Sequence, residues 1–197
     1  MPSHVSAFAV FFASIFTSNI LLTNYLGMCS FLAVSKEMKT SLGLGAAVTF
    51  VLAVTTPLNW LVYHYLLIPF NLEYLRFIVF IIVIAAFVQL TEMTLERYSE
   101  PLYQSLGIFL PLITVNCAIL GASLFMVIRE YTFITSLLFG LGSGIGGLLA
   151  IVAMSGIRTK LRTANIPPAL EGPGISLIIA GFMAMAFMGF SGMIAVS

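Results

Sequence analysis

Long apolar runs separated by short polar breaks set the rhythm of the whole chain. The runs cover residues 5–28, 42–67, 77–94, 103–128, 133–157 and 175–196. The breaks are Ser35-Lys36-Glu37-Met38-Lys39-Thr40, the segment 69–76, Glu96-Arg97-Tyr98-Ser99-Glu100-Pro101, Arg129-Glu130-Tyr131, and a basic stretch 158–162 that leads into Pro167-Pro168 and Gly172-Pro173-Gly174. Each run is close to the roughly 20 residues a helix needs to cross a ~30 Å hydrocarbon layer. The pattern therefore predicts an all-α membrane protein of six transmembrane helices, with one integral membrane domain over residues 1–197. The first run lacks the basic start and small-residue cleavage site of a signal peptide and is expected to be a true span.

Composition agrees with that reading. Of 197 residues, 60% are hydrophobic and 8% charged, and the mean hydropathy is +1.12. Soluble domains carry about 25% charged residues, so a chain this apolar cannot cover a water-facing surface. A net charge of +1 gives nucleic acid nothing to bind, and all seven acids are Glu. Six of the eight Lys and Arg residues (Lys36, Lys39, Arg97, Arg158, Lys160 and Arg162) lie in the first, third and fifth breaks. The positive-inside bias then places the odd loops in the cytoplasm and both termini outside, in the periplasm of a bacterial inner membrane.

Six spans divide into two halves of three, about 1–98 and 99–197. Gly43-Leu44-Gly45-Ala46 opens the second run and Gly140-Leu141-Gly142-Ser143 lies near the start of the fifth, while each half carries one cysteine, Cys29 and Cys117. An odd number of spans per half inverts the second half relative to the first, the arrangement that places a functional site at the repeat interface near the midplane. The residues alone leave three readings of the cysteines open: small buried hydrophobes, a structural disulfide, or metal ligands. Two thiolates cannot complete a four-ligand zinc or iron–sulfur set, so the last reading requires a second protein with two more. Glu92, near the end of the third run, is an intramembrane carboxylate and hence either a cation-site group or an interfacial acid reaching water. Asn19, Asn24 and Asn116 offer hydrogen bonds between helices or toward sulfur. Trp60 with Tyr63, Tyr65 and Tyr74 reads as an aromatic belt, and His64 as interfacial. No dinucleotide fingerprint or P-loop is present.

Two blocks resemble a known family: Leu26-Gly27-Met28-Cys29-Ser30-Phe31-Leu32-Ala33-Val34-Ser35-Lys36, and the stretch from Leu106-Gly107-Ile108-Phe109-Leu110-Pro111 through Thr114-Val115-Asn116-Cys117-Ala118. Both are similar to signatures of the six-helix membrane subunits shared by the sodium-translocating NADH:quinone reductases (Nqr) and the Rnf complexes, and the Gly181–Gly192 tail agrees. Met28-Cys29-Ser30 leans toward the Nqr branch, whereas the short connection between the second and third runs is more like the Rnf A-type subunit. The resemblance implies that Cys29 and Cys117 each supply one iron ligand to a 2Fe-2S cluster. The cluster would be shared with a homologous six-helix partner of opposite topology (Nqr D-type or Rnf E-type) and would relay electrons across the bilayer, coupled to export of sodium or protons. It further implies that NADH, flavins and ubiquinone bind on other subunits, and that an acid at the position of Glu92 takes part in sodium uptake. A stand-alone secondary transporter with structural cysteines is the competing function.

Overall fold

The structure, a computed structural model, describes residues 7–98, 110–162 and 172–189. The Glu100-Pro101 turn, the start of the fourth run (103–109), Pro167-Pro168 and the end of the last run lie outside them. All regular structure among the described residues is helical. In chain order the α-helices are α1 Ala7–Ile15, α2 Ile20–Thr23, α3 Met28–Val34, α4 Met38–Val62, α5 Arg76–Tyr98, α6 Leu110–Thr114, α7 Cys117–Ile128, α8 Phe133–Leu161 and α9 Pro173–Met188. Three stretches, Met38–Leu67, Glu73–Thr94 and Phe133–Leu161, are long and apolar enough to cross a membrane, and Leu112–Ile128 and Pro173–Met188 form shorter apolar helices.

The first and fourth runs depart from the expectation of continuous spans. The first is cut into α1, α2 and α3, and the fourth is cut between α6 and α7. Asn19 makes the cut between α1 and α2 and Asn116 the one between α6 and α7: each leaves helical geometry (ψ 111° and 116°) and caps the following helix with its side chain, while left-handed Tyr25 and Gly27 separate α2 from α3. A cap interrupts the backbone without interrupting the apolar pattern, which is why hydropathy alone does not report it. Cys29, expected at the end of a span, stands instead in the first turn of α3.

Helices α4 and α8 cross at the centre, and α1 packs on another side of α8. Lipid is as apolar as Leu, so helices in a bilayer gain from close contact and interhelical hydrogen bonds more than from burial. The glycines of α8 supply that contact on two faces, since residues four apart share a face. A Cβ at Gly140 would lie 2.8 Å from the carbonyl oxygen of Leu52, and one at Gly144 2.7 Å from Cα of Thr49, both on α4. On the other face a Cβ at Gly146 would lie 2.9 Å from the carbonyl oxygen of Ile15, and Gly142 meets Ser14 and Phe11 of α1. Asn59 of α4 adds a 2.8 Å hydrogen bond to Ser123 of α7.

The two ends of the bundle are tied differently. At one end Arg158 donates to the Leu32 carbonyl (2.9 Å) and to Ser35 Oγ (2.7 Å), and Arg162 donates to the Lys36 carbonyl (3.0 Å). Two basic groups of the fifth break thus reach the carboxyl end of α3 and the residues just after it, where cations complement the helix dipole. At the other end the Trp60 indole stacks on His64, with centroids 4.7 Å apart, and donates to the Tyr131 carbonyl (2.7 Å). Tyr65 and Tyr74 are exposed there, as an interfacial belt requires. Gly144→Val should lower the stability of the detergent-solubilised protein by about 1–3 kcal/mol through overpacking. Gly43→Val, in open space, should leave the thermal midpoint unchanged; equal midpoints for both variants would refute the close-packing account.

Candidate functional site

The break between α2 and α3 is where the first half exposes its chemistry. Asn19 is fully buried and uses both ends of its amide. Its Oδ1 accepts from the N–H groups of Leu21 (3.1 Å) and Leu22 (3.4 Å). Its Nδ2 donates to the carbonyls of Ile15 (3.2 Å) and, across to α8, Gly146 (2.8 Å). The chain then turns through Tyr25 at φ 55° and Gly27 at φ 86° before entering α3. Left-handed backbone is rare for a residue such as Tyr and collects at functional segments. Cys29 follows two residues later with its side chain exposed.

The break between α6 and α7 answers it from the second half. Asn116 Oδ1 accepts from the Ala118 N–H (3.0 Å), and its Nδ2 donates to Ser30 Oγ (3.4 Å). Ser30 in turn donates to the Gly27 carbonyl (2.9 Å), and the Gly27 N–H donates to Cys117 Sγ (2.9 Å). These four bonds join the two breaks into one polar junction inside an otherwise apolar layer. Cys117 opens α7, a 12-residue helix whose N-terminal N–H groups carry positive partial charge that suits an anionic ligand. Its thiol, like that of Cys29, is exposed. A small cavity of about 20 Å³ borders the junction, lined by Gly27, Ser30, Asn116 and Ser143 among others, with room for one water-sized molecule. Among the described residues the buried Ser143 hydroxyl has no hydrogen-bond partner.

The site residues expected from the sequence fall in different places. Both cysteines stand at the junction with exposed side chains, and they are free, so they form no disulfide with each other. Among the described residues no group of three or more His, Cys, Asp or Glu side chains could hold a metal. Glu92 lies on α5, half-buried, away from the junction's hydrogen bonds. Asn19 and Asn116 bond across helices as expected, whereas Asn24 ends α2 and is exposed. Small residues do bring the two halves together: a Cβ at Gly27 would lie 3.2 Å from the Ala118 Cβ, and Gly121 packs against Leu26. Ser30 and the left-handed Tyr25 were not legible as site residues; the nearest signal was a pair of Asn residues and a Gly inside an apolar run.

Apolar helices interrupted where polar groups meet are a feature of membrane proteins, whose discontinuous helices line binding sites in transporter folds. Residues 7–194 match the Rnf-Nqr subunit family of membrane proteins, and the chain belongs to that family. It is 53% identical over 194 residues to the E-type subunit of the Na(+)-translocating NADH-quinone reductase from Psychromonas ingrahamii, a match that covers 93% of this chain and 96% of that protein. Asn19→Ala should lower stability by about 2 kcal/mol, since it removes a cap and a buried cross-helix bond. Asn24→Ala, at an exposed position, should be near neutral, and equal losses of thermal midpoint would contradict the capping role.

Proposed function

We propose that the chain is the E-type membrane subunit of a sodium-translocating NADH:quinone reductase, lending Cys29 and Cys117 to a 2Fe-2S cluster shared with a homologous partner. The observation that carries this reading is the hydrogen bond from Gly27 to Cys117 Sγ, which joins the loop before one cysteine to the sulfur of the other. Two exposed thiols at one junction are half of the four ligands such a cluster takes. The chain's own described residues offer no third or fourth ligand beside them. The remaining pair would come from a D-type subunit of opposite topology docked over the junction.

In this reading the six spans form two inverted halves, and the junction of the two broken first spans lies between them. Arg158 and Arg162 meet the first break at one end of the bundle, in keeping with odd loops in the cytoplasm and termini in the periplasm. The 53% identity to an Nqr subunit favours the Nqr branch over Rnf, despite the short connection between the second and third spans. A bound cluster supplies one-electron relay chemistry. The protein's part is to present the two thiols at one junction, to offer an N–H donor to the Cys117 sulfur, and to brace the breaks through Asn19 and Asn116. NADH, flavins and ubiquinone are assigned to other subunits. Glu92, an acid on an apolar helix, is assigned to the cation path.

Cys29→Ala and Cys117→Ala in the assembled complex should each abolish the 2Fe-2S signal and quinone reduction. Retention of full iron content and electron transfer in both would eliminate the ligand role and leave the stand-alone transporter as the better account. Glu92→Gln should raise the sodium concentration for half-maximal turnover several-fold without altering iron content; an unchanged sodium dependence would remove Glu92 from the path.

A further inference from the structure

Gly27 holds its N–H in a way that nothing else in the loop requires. The residue is buried, so water cannot satisfy the group, and an unpaired buried N–H is costly. Among the described residues its acceptor is Cys117 Sγ, at 2.9 Å. A thiol sulfur is a weak acceptor, whereas charged acceptors form the stronger bonds. The residue is also held on its carboxyl side. Ser30 donates to the Gly27 carbonyl at 2.9 Å, and Ser30 is itself approached by Asn116 Nδ2 at 3.4 Å. The left-handed φ of 86° that aims the N–H excludes most other residues, and any Cβ here would come 3.2 Å from the Ala118 Cβ and 3.3 Å from Asn116 Oδ1. No comparable donor reaches Cys29 Sγ among the described residues.

We propose that Gly27 is a potential-setting residue: its backbone N–H, in a loop that Ser30 and Asn116 brace through the Gly27 carbonyl, donates to the sulfur of Cys117 and raises the reduction potential of the cluster that Cys117 ligates. This rests on the cluster reading above. Reduction adds negative charge that spreads onto the ligand sulfurs, so an N–H donor there stabilises the reduced state more than the oxidised one. The bond also links the halves, since a donor from the first half tunes a ligand from the second. Any movement of the α2–α3 loop would therefore change the potential.

The test uses the purified, assembled complex. Gly27→Ala should keep the iron content and the cluster's spectroscopic signal but lower its midpoint potential, by about tenfold in the reduction equilibrium, or 59 mV for one electron. A second measurement does not depend on any variant keeping its cluster: wild-type complex grown on [15N]glycine should show a weakly coupled 15N nucleus in the hyperfine spectrum of the reduced cluster. That coupling should vanish in Gly27→Ala on the same label. An unchanged potential in Gly27→Ala with iron retained, or no glycine nitrogen coupling in the wild type, would overturn the proposal and leave the cluster reading standing. Absence of any 2Fe-2S signal in the wild-type complex would overturn the cluster reading itself.

Discussion

Backbone polar groups freed by a broken helix must find partners, because hydrocarbon offers none. That constraint governs this protein. Cutting two spans leaves N–H and carbonyl groups unpaired in the apolar layer, and two buried asparagines answer most of the demand. Asn19 takes up two N–H groups and two carbonyls at once, one of them on α8. Asn116 caps α7 and reaches Ser30 across the junction. The breaks are therefore fixed points, held to neighbouring helices by the same bonds that make them tolerable.

The rest of the architecture follows from keeping those points together. Glycines on two faces of α8 let α4 and α1 approach closely enough for the breaks to be reached. Arg158 and Arg162 fasten the carboxyl end of α3, so the helix that carries Cys29 in its first turn is anchored at its far end. The Trp60 bond to Tyr131 ties the opposite end of α4 to the turn before α8. These bonds brace both ends of the bundle around the polar junction.

Much of this was legible in the sequence. The apolar runs that become α4, α5 and α8 were recognisable because length and hydropathy coincide there with real helices. The cysteines by themselves left buried thiols, a disulfide and metal ligands open, and only the family resemblance pointed to the last. The breaks were not, because an N-cap inside an apolar run leaves its average hydropathy almost untouched. A reading that asked where each Asn in a span could satisfy its amide would have suggested Asn19 and Asn116 as caps, though Asn24, of the same type and in the same run, is exposed. The left-handed Tyr25 carries no sequence signal at all, since Tyr is not a residue that adopts that backbone willingly. The Gly27–Cys117 bond joins residues 90 apart in sequence, and only the fold brings them together.

The central claim is that this chain holds half of a metal site at the junction of its two broken spans. An experimental structure of the assembled complex, with anomalous data collected across the iron edge, addresses it directly. The account predicts an iron peak bonded to the sulfurs of Cys29 and Cys117 and completed by two cysteines of a neighbouring subunit. Both sulfurs facing lipid or apolar side chains, with no iron density beside them, would contradict it.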